Sequence, residues 1–140
     1  MAKLDMVQSY VEKLAGSIWE GATLGPELRI SLQYGSALVE IYTLDDETVA
    51  FRCTLARDVP ATPGLYEWLN SLNRTNRLVK ICHMEDRAVG AYVFMRADEI
   101  DANRMQTAVS QLGAFSDPID EELVNKFGGT LANPAPSSPA

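Results

Sequence analysis

Residues 28–55 read LRISLQYGSALVEIYTLDDETVAFRCTL, and their period of two decides the fold. Leu28, Ile30, Leu32 and Tyr34 alternate with Arg29, Ser31 and Gln33. That is the pattern of a strand with one buried face, because successive side chains leave a pleated backbone on opposite sides. Gly35-Ser36 turns the chain. Ala37, Val39 and Ile41 then share one side of a second strand and Leu38, Glu40 and Tyr42 the other, up to an acidic tip at Asp45-Asp46-Glu47. Val49, Phe51, Cys53 and Leu55 form the inner face of a third strand. Connections this short and polar predict an antiparallel meander.

On the N-terminal side the period is helical. Leu4, Val7, Val11, Leu14 and Ile18 recur at steps of three and four, with Tyr10 thickening the stripe, so residues 4–20 predict an amphipathic helix ending near Gly21. On the C-terminal side Pro60 to Pro63 breaks the sheet. Thr62 is placed to cap a second helix with Pro63 in its first turn, and Leu65, Trp68, Leu69 and Leu72 form its apolar stripe. Trp68 is expected to anchor that helix to the sheet, while Tyr66 projects from another side. Residues 77–84 and 88–96 predict a second hairpin around Glu85-Asp86-Arg87, with Val79 and Ile81 on one face. Ala88 to Arg96 is apolar on both faces, which points to a central strand or one that docks something. Asp98 is expected to cap a third helix carrying Met105, Ala108, Val109 and Leu112 up to Gly113. Asp117-Pro118 is expected to open a short fourth helix stopped by Gly128-Gly129. The fold class is α+β, a five-stranded antiparallel sheet with helices packed on it in the order α-β-β-β-α-β-β-α-α. Residues 1–129 form one domain, and residues 130–140, TLANPAPSSPA, are expected to be a disordered tail.

The chain has 140 residues, 46% of them hydrophobic, enough for one domain with a real core. Twelve Lys and Arg against nineteen Asp and Glu give a net charge of −7. That balance disfavours nucleic acid and anionic membrane as partners, since both draw on a surplus of cations. No segment approaches the ~18 apolar residues of a membrane span, and the first residues lack a signal-peptide core, so a cytoplasmic location is expected. Cys53 and Cys82 read as small buried apolar side chains of a reducing compartment, with a disulfide left open.

Chemistry is sparse. His83 is the only histidine, and Cys82 beside it in a strand must point to the opposite face, so the two cannot act as a pair. There is no C-x-x-C or H-x-x-x-H spacing, no calcium loop around Asp45 to Glu47, and no glycine-rich phosphate cradle among Gly16, Gly21 and Gly25. Arg74, Arg77 and Lys80 make a short basic stretch without interleaved aromatics, which reads as surface charge. No catalytic, metal or cofactor site is expected.

The stretch Leu69 to Met105, LNSLNRTNRLVKICHMEDRAVGAYVFMRADEIDANRM, resembles the YbjN-like family, whose fold is related to type III secretion chaperones. The carriers are a helix ending in paired asparagines, here Asn70 and Asn73, then a hairpin, then an acid-capped helix, together with the closing Phe127-Gly128-Gly129. The resemblance spans residues 5–129 in element order. It implies a small acidic homodimer that holds extended segments of a polypeptide client against its sheet and helices without nucleotide. The residues expected at a protein-binding or dimer surface are Tyr66, Asn70, Asn73, Tyr92 and Phe94. A strand apolar on both faces also predicts a homodimer, because it leaves surface to cover once the chain's own helices are packed. Two other classes are weighed beside the chaperone or adaptor. One is a regulatory module of the sensory-transduction type that needs a folded partner, and the other an enzyme, which would require a buried acid pair or a perturbed His83 in a pocket.

Overall fold

The computed structural model describes residues 3–19, 29–35 and 37–132. Its elements in chain order are α1 (Lys3–Ile18), β1 (Ile30–Tyr34), β2 (Ala37–Thr43), β3 (Thr48–Arg57), α2 (Pro63–Thr75), β4 (Lys80–His83), β5 (Val89–Arg96), α3 (Ala102–Phe127) and β6 (Thr130–Leu131). The expected ends at Gly21 and Leu28 and the turn residue Ser36 lie outside the described residues.

The alternation read from residues 28–55 becomes a sheet in the order β1-β2-β3-β5-β4, antiparallel throughout. Val39, Ile41, Val49, Phe51 and Cys53 are buried on one face, joined there by Val89, Ala91 and Val93. Each large apolar side chain so removed from water contributes roughly 1.5–3 kcal/mol. The helices supply the other half of this core through Val11 and Ala15 of α1, Leu65 and Leu69 of α2, and Met105, Leu112 and Leu123 of α3. The strand apolar on both faces, β5, lies between β3 and β4. Tyr10 leaves the α1 stripe for solvent, with its hydroxyl donating to the Ile100 carbonyl at 3.1 Å.

Several local expectations are corrected. The two C-terminal helices are one, with Pro118 inside it. An Asp-Pro pair ordinarily opens a helix, but Leu112 and Leu123 are buried in the same core on either side of that point. The burial of these apolar side chains offsets the roughly 3 kcal/mol an internal proline costs. Gly113, read as a stop, instead lets β1 approach, because a Cβ there would lie 2.8 Å from Cβ of Tyr34. Asp101, not Asp98, caps α3, accepting the Arg104 backbone N–H at 2.8 Å, while Asp98 sits in a 3-10 turn over Ala97–Glu99. Trp68 is half-buried and packs against the core, and it also meets Phe127 of α3, ring centroids 5.5 Å apart. Both cysteines are free, and Cys82 is exposed.

The Phe127-Gly128-Gly129 close has a backbone cause. Both glycines have positive φ, +90° and +88°, and a Cβ on Gly129 would come within 2.5 Å of the Arg57 carbonyl. This turn carries the chain onto β3, where Leu131 pairs with Ala56 and Thr130 with Arg57. A sixth short strand therefore begins in the segment expected to be disordered, whose residues 133–140 lie outside the described residues.

Candidate protein-binding surface

All three helices pack on one face of the sheet, and among the described residues no helix covers the other. Alternation sends Glu40 and Tyr42 of β2, Arg52 and Thr54 of β3, and Gly90, Tyr92 and Phe94 of β5 to this outer face. Backbone pairing aligns them, with Glu40 opposite Arg52, Arg52 opposite Tyr92, and Ala50 opposite both Tyr42 and Phe94.

Two features dominate the face. The first is aromatic. The rings of Tyr92 and Phe94 stack at 5.6 Å between centroids with only 5° between their planes. Tyr92 lies back over Gly90, where a Cβ would be 3.1 Å from its Cε2, and its hydroxyl donates to the Met84 sulfur at 3.3 Å. Gly90 thus makes room for the ring, leaving Tyr92 8% exposed while Phe94 stays 53% exposed. Burial of the phenol, reinforced by Cys82, raises the Tyr92 pKa against the opposing pull of Arg52.

The second feature is charged. The guanidinium of Arg52 donates to Glu40 at 2.8 Å and that of Arg29 donates to the same carboxylate at 3.5 Å, while both lie over the Tyr42 ring at 5.5 and 4.6 Å from its centroid. Burial alone would lower the Arg52 pKa, but the Glu40 hydrogen bond and charge outweigh it and the net direction is upward. Sequence reading missed this cluster. Its signal was present in two charged residues, Glu40 and Arg52, at outward positions of neighbouring apolar strands.

Four of the five nominated residues fall on two surfaces. Tyr92 and Phe94 share the outer face. Tyr66 and Asn70 lie exposed on α2, which packs on the opposite side through Leu65 and Leu69. Tyr66 is 50% exposed and meets the edge of the His83 ring, with centroids 5.9 Å apart. His83 in turn is held by its Nε2 against the Val59 carbonyl at 2.8 Å. Asn73 is committed elsewhere. Its Nδ2 donates to the Ile81 carbonyl and its Oδ1 accepts the Ile81 N–H, each at 2.8 Å. The amide therefore occupies the free edge of β4, an edge that otherwise invites pairing with another chain. Neither asparagine ends the helix, which runs to Thr75 with Asn76 at its C-cap.

Beneath the sheet, the Cys53 thiol is pushed up to about 11, chiefly by burial, with the nearby Ser116 hydroxyl opposing. A thiol in that state is a packed side chain rather than a nucleophile. Among the described residues no three His, Cys, Asp or Glu side chains are placed to hold a metal ion.

The sequence profile of the family described as T3SS (YopN, CesT) and YbjN peptide-binding chaperone 1 matches residues 5–135. The chain belongs to this family. The family is one of peptide-binding chaperones. No curated protein sequence matches it. Among solved structures it is similar to the HopA1-SchA chaperone-effector complex, at 7% identity and a TM-score of 0.67 over 86% of this chain and 98% of that one. It is similar to the ExsC-ExsE complex at 19% identity and a TM-score of 0.64, covering 88% and 97%. It is also similar to YbjN from E. coli at 13% identity and a TM-score of 0.62, covering 85% and 91%. At such identities the likeness is one of fold. No helix among the described residues is long and apolar enough to cross a membrane.

Proposed function

We propose that this family member works in the cytoplasm as a homodimer that holds an extended client segment on its exposed apolar surfaces. The observation that carries this reading is the outer face of the sheet, which no helix among the described residues covers, with the Tyr92 and Phe94 stack on β5. A rigid aromatic pair of this kind supplies contact area at low entropic cost, as interfaces require. Tyr66 and Asn70 on α2 form a second, smaller surface that suits the dimer contact. Leu4 and Met6 of α1 add further exposed apolar area.

The regulatory alternative calls for a folded epitope, whereas an extended segment can be bound as an isolated peptide. Light scattering coupled to size exclusion tests the dimer, which has twice the 15.4 kDa chain mass. A mass near that of one chain across the micromolar range refutes it. Phe94→Ala tests the client surface. It is expected to weaken client binding without unfolding the protein, and unchanged client affinity refutes the outer face as the site.

A further inference from the structure

Beside the aromatic stack, the outer face sinks into a polar basin of about 440 Å³ between β3, β5 and the β4–β5 turn, a volume within the range of ligand pockets. Arg29, Arg52, Arg57, Thr54, Tyr92 and Asp86 line it. Among the described residues three guanidiniums there face two carboxylates, Asp86 and the Glu40 that Arg29 and Arg52 share, an arrangement richer in cations than a chain of net charge −7 is as a whole.

The carboxylates do not exhaust the donors. Arg57 is exposed and makes no ion pair or side-chain hydrogen bond among the described residues. Arg52 keeps a buried Nε without a hydrogen-bond partner. Asp86 is occupied in part by the Ala88 backbone N–H, at 3.1 Å. A buried, unused Nε of Arg52 beside the exposed guanidinium of Arg57 favours a planar oxyanion, which a guanidinium fork binds through two parallel hydrogen bonds.

We propose that this basin receives an acidic side chain of the client, with an apolar client residue two positions away seated on Phe94. It rests on the reading of the outer face as the client surface, and adds a rule for which segments bind. A polyanion such as nucleic acid is a poor occupant, because the rest of an acidic surface repels it, whereas one carboxylate meets only the local excess of cations. The spacing follows from β5 itself. Tyr92 lines the basin and Phe94 stands two residues along the same face, roughly 6.6 Å away, the same-face repeat of any extended peptide.

The test is selection of phage-displayed random dodecapeptides on the full chain and on two variants of its exposed Arg57. Wild type is expected to enrich peptides carrying Asp or Glu two positions from an aromatic or aliphatic residue. Arg57→Gln is expected to lower their affinity about tenfold, the value of one charge-assisted contact. Arg57→Glu is expected to reverse the preference towards Lys or Arg. Circular dichroism melts of both variants confirm that the fold is intact. Peptides enriched without an acidic preference, or a preference untouched by both variants, overturn the basin and leave the client-binding reading standing. Failure to enrich any peptide overturns both. Displacement of the selected peptides by equimolar inorganic phosphate assigns the basin to a free phosphate and likewise overturns the proposal.

Discussion

Replacing Asn73 by alanine removes two hydrogen bonds at once, both 2.8 Å long and both to the backbone of Ile81. A hydrogen bond contributes about 1 kcal/mol net, and a donor or acceptor left unpaired in a half-buried place costs more, so the pair together is worth about 2 kcal/mol. Solvent at the β4 edge returns part of that, while the loss of the brace between α2 and β4 adds to it. For a domain of this size the melting temperature is expected to fall by roughly 5–10 °C. Asn73→Asp keeps the acceptor for the Ile81 N–H and loses the donor, so it is expected to show about half the effect. Asn70→Ala, three residues away on an exposed position, is the internal control and is expected to stay within about 0.5 kcal/mol of wild type. Urea denaturation of the three variants measures all of this. An Asn73→Ala protein within about 0.5 kcal/mol of wild type refutes the clamp as a stabilising device.

Gly113→Ala tests the contact between α3 and β1. Alanine should stabilise an exposed helix interior by about 1 kcal/mol over glycine, yet a Cβ here meets the Tyr34 side chain at its root, so net destabilisation is expected, and a stabilised variant contradicts it. Trp68→Ala is expected to cost about 2 kcal/mol, less than a fully buried aromatic, because the ring is half-buried against Phe127. Tyr66→Ala is expected to change stability by less than about 1 kcal/mol while weakening dimerisation; an equal loss of stability for both variants refutes the distinction. The thiol of Cys53, pushed up to about 11 when folded, stays protonated where the unfolded chain ionises. Its contribution is therefore complete below the ordinary thiol pKa of 9.0 and lost as pH rises towards 11. The difference between wild type and Cys53→Ala is expected to shrink by about 2–3 kcal/mol over that window, and a constant difference refutes the shift.

What was legible in the sequence was whatever a period expresses. The alternation from Ile30 to Leu55 yields three strands with their inner faces correctly assigned, and the Leu65, Leu69 and Leu72 spacing yields α2. Long-range contacts override local signals. Asp117-Pro118 carries every mark of a helix start, but the burial of residues on both sides in one core keeps α3 continuous. Gly128-Gly129 does end α3, but Gly113 also reads locally as a terminator, whereas its position is set by Tyr34, about 80 positions away in sequence. The candidate surface was half legible. A strand apolar on both faces pointed to Tyr92 and Phe94, but no sequence pattern reveals that Asn73 is spent on the Ile81 backbone. Nor does one reveal that Arg29, Arg52 and Glu40 converge on Tyr42.

Binding of an unfolded segment rather than a folded partner is the central claim, and calorimetry on the chain's captured client tests it most directly. The client is compared intact and as its protected segment of about 10–20 residues, mapped by hydrogen exchange and synthesised as a free peptide. The account predicts that the free peptide binds within about tenfold of the intact client, that is, within about 1.4 kcal/mol. It also predicts that Phe94→Ala weakens both alike. Binding that disappears in the free peptide and returns only with the folded client contradicts it, and assigns the chain to regulation through a folded partner.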